Sequence, residues 1–407
     1  MLIHQVNLQP YFGGGEVYTA FLCRALAQLG IATRLYAHPQ ASYWTELALP
    51  STTEIVRANN PEQVLALLPS PGGWLLSHGP LPQATLQAAV SRGWLLTAIA
   101  HMPVQGRNPA VFASYHKVFA VSAWVLTGLQ AAGLPVWPEP LYGVAHLSRP
   151  SQQALLKTSC YDWDRRKFRD QVLSWIEPWL ERVLPHPAYV KRPGLTLGIV
   201  SRLTPIKQFP LLFRHLAPVL ANHLGVNLEI FGSGGYASVR DLKQALAPIR
   251  SRVRFWGQQS NVQAAYAGID YLLTGLPEKE ALGLNIIEAQ TCGTPVLAPA
   301  AAPFTETIVD GQSGFIYTDP RLDGGQDFDR LLHQVRTAPH RPDPRLAKGH
   351  LEKFSLAAFE ERMRPVVAWI SESSSISGHP EGRMLANQGS ANQQCQVRAE
   401  LSSENQV

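Results

Sequence analysis

Short apolar runs bounded by Gly, Pro or Ser alternate along most of this 407-residue chain with stretches whose apolar residues recur every three or four positions. That alternation of strand-like and helix-like patterns predicts parallel sheets covered by helices, an α/β fold. In the first half, "IHQVNL", "ATRLYAH", "TEIVRA", "GWLLSH", "WLLTAIA" and "KVFAVS" read as strands, and "EVYTAFLCRALAQLG" and "AWVLTGLQAAGL" as helices that end at Gly. A second series follows: strands "LTLGIVS", "NLEIFG", "RVRFWG", "YLLTG", "PVLAPA" and "GFIYT", with helices such as "FPLLFRHLAPVLANHL" and "ASVRDLKQALAPI" between them. Two Rossmann-like domains in tandem would turn the C-terminal ends of both strand sets toward one cleft, where ligands bind in open parallel sheets.

The pattern sets the expected boundaries: residues 1–145 for the first domain, 146–194 for an elaborated helical linker, 195–353 for the second domain, 354–370 for a closing helix and 371–407 for a disordered tail. The linker is rich in Trp and Arg and broken by Pro185, Pro187 and Pro193. Packing of Trp163, Trp175 and Trp179 onto a domain is the plain expectation, and an exposed acceptor or partner surface the alternative. The tail, Ser-, Gln-, Asn- and Gly-rich, lacks the apolar content to order itself.

Composition changes this picture little. A net charge of +5, from 35 Lys and Arg against 30 Asp and Glu, is spread too thinly to argue for nucleic acid. Four cysteines without metal spacing, no signal-like N-terminus and no apolar run reaching the ~18–20 residues of a bilayer span predict a cytoplasmic protein, whose membrane contact would be peripheral, on the inner face.

The chemistry concentrates in "KEALGLNIIEAQTCGTPV", Lys279 to Val296. A helix opening near Leu284 or Asn285, after Gly283, would present free N–H groups and its positive dipole end to an anion. Glu280 then precedes the helix and Glu288 lies about one turn in, each able to accept paired hydrogen bonds from vicinal sugar hydroxyls. Arg202 and Lys207, after the strand "LTLGIVS", offer two cations to a diphosphate. Gly13, Gly14 and Gly15 could let backbone N–H groups approach an anion, although no complete dinucleotide fingerprint follows and a nicotinamide enzyme is disfavoured. His101, after "WLLTAIA", would reach the cleft as a hydrogen-bonding or proton-transfer group.

In that order, "FGGGE", "VSRLTPIKQ", "EIFGSG", "VRFWG", "EALGLNIIEAQTCGTPV" and "ETIVDGQSGFIY" resemble the retaining glycosyltransferases of family 4, which have the two-domain GT-B fold. The resemblance implies that Arg202 and Lys207 hold the donor diphosphate, Glu288 the nucleotide ribose, and Glu280 with the backbone at Gly283 and Leu284 the transferred sugar. Gly13 to Gly15 would approach the phosphates from the other domain, and His101 matches the family's N-domain active-site histidine. It also implies a UDP-, GDP- or ADP-sugar donor, a saccharide or lipid-linked acceptor in cell-surface polysaccharide or glycolipid synthesis, and no metal or other cofactor. Pro277, Ala281, Leu282, Ala302 and Met102 depart from the family pattern. Two alternatives stay open at this stage: a non-catalytic nucleotide-sugar or partner-binding protein on the same fold, and a nucleotide-sugar epimerase.

Overall fold

The computed structural model describes residues 1–150, 156, 168, 172, 175, 176 and 188–377. Two six-stranded sheets, parallel throughout, are built from strands in the order β3-β2-β1-β4-β5-β6 and β12-β11-β10-β7-β8-β9. The first contains β1 (Leu2–Asn7), β2 (Ala32–Ala37), β3 (Thr53–Arg57), β4 (Trp74–Ser77), β5 (Leu95–Ala100) and β6 (Lys117–Ala120); the second contains β7 (Leu195–Val200), β8 (Val226–Phe231), β9 (Val253–Gly257), β10 (Tyr271–Leu273), β11 (Val296–Pro299) and β12 (Gly314–Tyr317). Every apolar run read as a strand forms one. Most of these strands are buried along nearly their whole length, because helices cover both faces of a parallel sheet.

Chain order reverses direction once in each sheet, between β1 and β4 and between β7 and β10. A crevice opens at such a switch point, outside the C-terminal strand ends, since the flanking connections leave to opposite faces. The segments after β1, β4 and β5 carry Gly13 to Gly15, His78 and His101, and those after β7 and β10 carry Arg202, Lys207 and Glu280.

The last helix, Leu356–Ser377, follows the second sheet in sequence but packs on the first. Phe359, Met363, Val366 and Ile370 recur at helical spacing, and all four are buried in the core that covers β1. At ~1.5–3 kcal/mol for each buried side chain of this size, the stripe is a large part of what holds the helix there. Tyr18 ties it to the first helix, meeting Phe359 edge-on at 5.5 Å and donating a hydrogen bond to Leu141 O at 3.0 Å. The helix runs seven residues past the predicted end at Ile370: Ser371 and Ser373 donate their hydroxyls back to the carbonyls of Val367 (2.9 Å) and Trp369 (2.8 Å), a local bonding mode compatible with helical backbone.

In the linker, Trp175 is 91% exposed, so that indole does not pack on a domain as predicted. Trp163, Trp179 and residues 378–407 lie outside the described residues.

Candidate active site

One bank of the cleft comes from the second sheet. The segment after β7 is pinned by Leu203 N–H on Ser233 O at 2.7 Å, and Lys207 O accepts from Leu276 N–H at 3.3 Å, joining this segment to the one after β10. The Lys207 ammonium is thereby held against Glu280, with which it forms an ion pair; the two side chains are 21% and 16% exposed. Sequence reasoning gave these residues to different parts of a ligand, and the structure makes them direct partners. Glu280 sits in a turn closed by its own N–H on Pro277 O at 2.8 Å, ahead of the helix Leu284–Thr291. Gly283 caps that helix at φ +82°, a left-handed conformation that costs other residues ~1–2 kcal/mol, and a β-carbon there would lie 2.8 Å from Ile286 Cδ1.

Glu288, one turn into the helix, accepts a 2.8 Å hydrogen bond from the Tyr266 hydroxyl. Burial pushes its carboxyl up to about 7, with Tyr266 and the Lys207 charge pulling the other way. Lys207 therefore acts on both acids: it pairs with Glu280 and lies near enough to Glu288 to stabilise its ionised form.

The other bank is glycine and imidazole. Gly13 is the cap of the first helix, Gly14–Gln28, and Gly14 and Gly15 form its opening residues. Arg202 reaches over from the second domain: its Nη1 donates to Phe12 O at 3.5 Å, and a β-carbon added to Gly13 would stand 2.9 Å from its Nη2. The start of the first helix also faces the start of the Leu284–Thr291 helix, since a β-carbon on Gly14 would lie 3.4 Å from Leu284 Cδ1. Two helix starts, one from each domain, and two cations from the second domain thus come together between the domains, an arrangement that attracts a diphosphate.

Two groups on this bank escaped the sequence reading. Glu16, in the first turn, is buried, and burial raises its carboxyl above the usual range, opposed by nearby backbone N–H groups, Asn7 and Arg202. An acid three residues after a glycine cap is a recognisable capping position, and that signal stood in the quoted "FGGGE". His78 directly follows β4 as His101 directly follows β5, and the two rings meet at 3.1 Å, Nδ1 to Nε2. A histidine ending each of two neighbouring strands was the available signal. Burial pushes His101 down to about 4 and His78 well below the ordinary imidazole range, so both rings are neutral at pH 7.

Polar contacts tie the banks together. Ser122 donates to Ala281 O at 2.5 Å, and Glu306 accepts from Ala123 N–H (2.9 Å), Trp124 N–H (3.2 Å) and the Tyr142 hydroxyl (3.1 Å). Ala123 and Trp124 open a helix whose dipole favours that carboxylate.

Among the described residues, the cluster with metal-ligand spacing is His223, Asp329 and His333. His223 precedes β8, at the N-terminal end of the strand and away from the cleft, and is already engaged: its Nε2 is 2.7 Å from Asp329 Oδ1 and its Nδ1 lies 3.2 Å from Arg336 Nη1. A cation donating to Nδ1 makes this a poor metal ligand.

Set beside known proteins, residues 194–328, the part that supplies the charged bank, match the family model described as glycosyl transferases group 1. A D-inositol 3-phosphate glycosyltransferase of Rhodococcus erythropolis is 30% identical over 177 residues, 40% of this chain and 39% of that protein, so this match spans about two fifths of the relative's length. The enzyme of the same name from Kribbella flavida is 24% identical over 374 residues, 80% of this chain and 83% of its own. Over 90% of this chain and 99% of the other, the structure superposes on Anabaena Alr3699/HepE, solved in complex with UDP and glucose, with a TM-score of 0.62 at 16% identity. The fold is GT-B: two parallel-sheet α/β domains facing a cleft.

Proposed function

We propose that this protein is a retaining glycosyltransferase of family 4, transferring a sugar from a nucleotide donor, a UDP-sugar first among candidates, to a saccharide or lipid-linked acceptor in cell-surface polysaccharide or glycolipid synthesis. The observation that carries the reading is the meeting of Arg202, Lys207, Glu280 and Glu288 with two helix starts at one interdomain gap. The relatives' names and the UDP held by the Anabaena neighbour support it.

In this reading Arg202 and Lys207 neutralise the donor diphosphate, Glu288 takes the ribose hydroxyls, and Glu280 with the amides at Gly283 and Leu284 orients the transferred sugar. The C1–oxygen bond to the diphosphate breaks with its electron pair leaving on the phosphate oxygen. The acceptor hydroxyl attacks C1 from the same face, and its proton passes to that departing oxygen. Glu280, ion-paired to Lys207, is a positioning group rather than a nucleophile. One guanidinium and one ammonium charge, with the amides of two helix starts, stabilise the leaving group, so no metal is invoked. His101 faces the sugar and acceptor as a neutral imidazole.

The test is a thermal-shift panel of UDP-, GDP- and ADP-sugars followed by nucleotide-release assays with saccharide acceptors. A donor at 100 times its Kd stabilises the folded state by ~2.7 kcal/mol. Arg202→Ala is expected to abolish the best shift. Binding without nucleotide release, unchanged by Glu280→Gln, would instead identify a non-catalytic binding protein.

A further inference from the structure

We infer that His78 is a positioning residue that fixes His101 in the tautomer protonated on Nε2, leaving His101 Nδ1 as a lone-pair acceptor for a sugar or acceptor hydroxyl. The inference concerns the same cleft and rests on the transferase reading for its functional consequence, though not for the tautomer itself.

The geometry is a chain of in-plane contacts. The His78 and His101 rings are 17° from parallel with centroids 5.3 Å apart, close to the 3.1 Å nitrogen gap plus the two ring radii. They therefore lie edge to edge in nearly one plane, as an N–H···N hydrogen bond requires. On its other side, His78 Nε2 is 2.9 Å from Gln5 Oε1, on the fully buried Gln5 of β1. An amide oxygen only accepts, so His78 Nε2 carries the proton. A neutral imidazole has one N–H, hence His78 Nδ1 accepts and His101 Nε2–H donates to it. The Thr19 hydroxyl, 3.1 Å from His78 Nδ1 and 2.8 Å from Gly15 O, can turn its single proton toward either and takes one from Asn7 at 3.0 Å.

What fixes the direction is the orientation of Gln5. Its Nε2 donates to Cys23 Sγ at 3.6 Å, which leaves Oε1 facing His78. With the amide turned end for end, every proton in the chain would reverse and His101 would present an Nδ1–H donor. Tyr18 meets the His101 ring at 5.0 Å and 87°, limiting its rotation, and no hydrogen-bond partner reaches His101 Nδ1 among the described residues.

Imidazole nitrogen NMR on the full-length protein at pH 7.5 tests this directly. The expected result is a His101 signal pair with Nε2 protonated and Nδ1 bare; a protonated Nδ1 overturns the inference whether or not any sugar is transferred. His78→Phe removes the acceptor and should leave His101 with mixed tautomers and roughly tenfold lower kcat at unchanged donor KM, less than the ~10²–10⁴-fold that a positioned acid or base itself contributes. His78→Asn, whose amide oxygen can stand near the lost Nδ1, should restore both the tautomer and most of kcat. If His78→Phe folds and keeps the wild-type His101 spectrum, His78 does not set the tautomer. Should His78→Phe fail to fold, the wild-type spectrum and His78→Asn still decide. Absence of transfer in every variant with the expected tautomer would count against the transferase reading alone.

Discussion

The two banks of the cleft do opposite kinds of work. The second-domain bank is ionic: Lys207 bonded to Glu280 and acting on Glu288, with Arg202 reaching across to Phe12 and Gly13. The first-domain bank is largely neutral at pH 7, with His78 and His101 kept uncharged by burial and linked to Gln5, Thr19 and Asn7. Charge grips a charged ligand, whereas a neutral, fixed imidazole directs a hydroxyl. A site divided this way should separate binding from turnover.

The largest effect should separate them most cleanly. His101→Ala is expected to lower kcat by ~10²–10⁴-fold while leaving the donor-induced thermal shift intact. Next, Lys207→Ala and Arg202→Ala should each cost ~10²–10³-fold in kcat/KM and remove the thermal shift. Equal loss of the shift in all three variants would erase the distinction between the banks.

Smaller effects follow from single groups. Glu288 has a folded-state pKa raised to about 7 from 4.5, so its contribution favours the fold fully below pH 4.5 and is lost as pH rises through 7, by at most ~3 kcal/mol. Without ligand, the wild type should therefore lose stability between pH 5 and 7.5 relative to Glu288→Gln in denaturant titrations. In the proposed reading, ribose hydroxyls on Glu288 favour its ionised form, so donor affinity should rise with pH across the same window and flatten in that variant. The smallest change, Gly283→Ala, should cost ~1–2 kcal/mol for the left-handed backbone, with Tm lower by a few degrees in calorimetry.

The same division governs how much the sequence disclosed. All twelve strands were legible, because apolar runs bounded by turn residues are a local signal. The ionic bank was legible too: Glu280, Gly283 and Glu288 share one short stretch, and Arg202 and Lys207 share another. Their pairing was not, since the contact between Lys207 and Glu280 depends on the adjacency of β7 and β10, which no local pattern encodes. The contact between His78 and Gln5 was hidden for the same reason: they lie at the end of β4 and on β1, distant in sequence and neighbours only once the sheet forms. Glu306 was quoted within a motif, but its hold on Ala123 and Trp124 crosses between domains.

The returning helix Leu356–Ser377 has a consequence for synthesis. A chain leaving the ribosome exposes β1 to β6 long before Phe359, Met363, Val366 and Ile370 exist to cover them. The first domain must wait, with an apolar groove open, while the whole second domain is made. Emergence of the Leu356–Ser377 helix is thus the event that completes the N-terminal half.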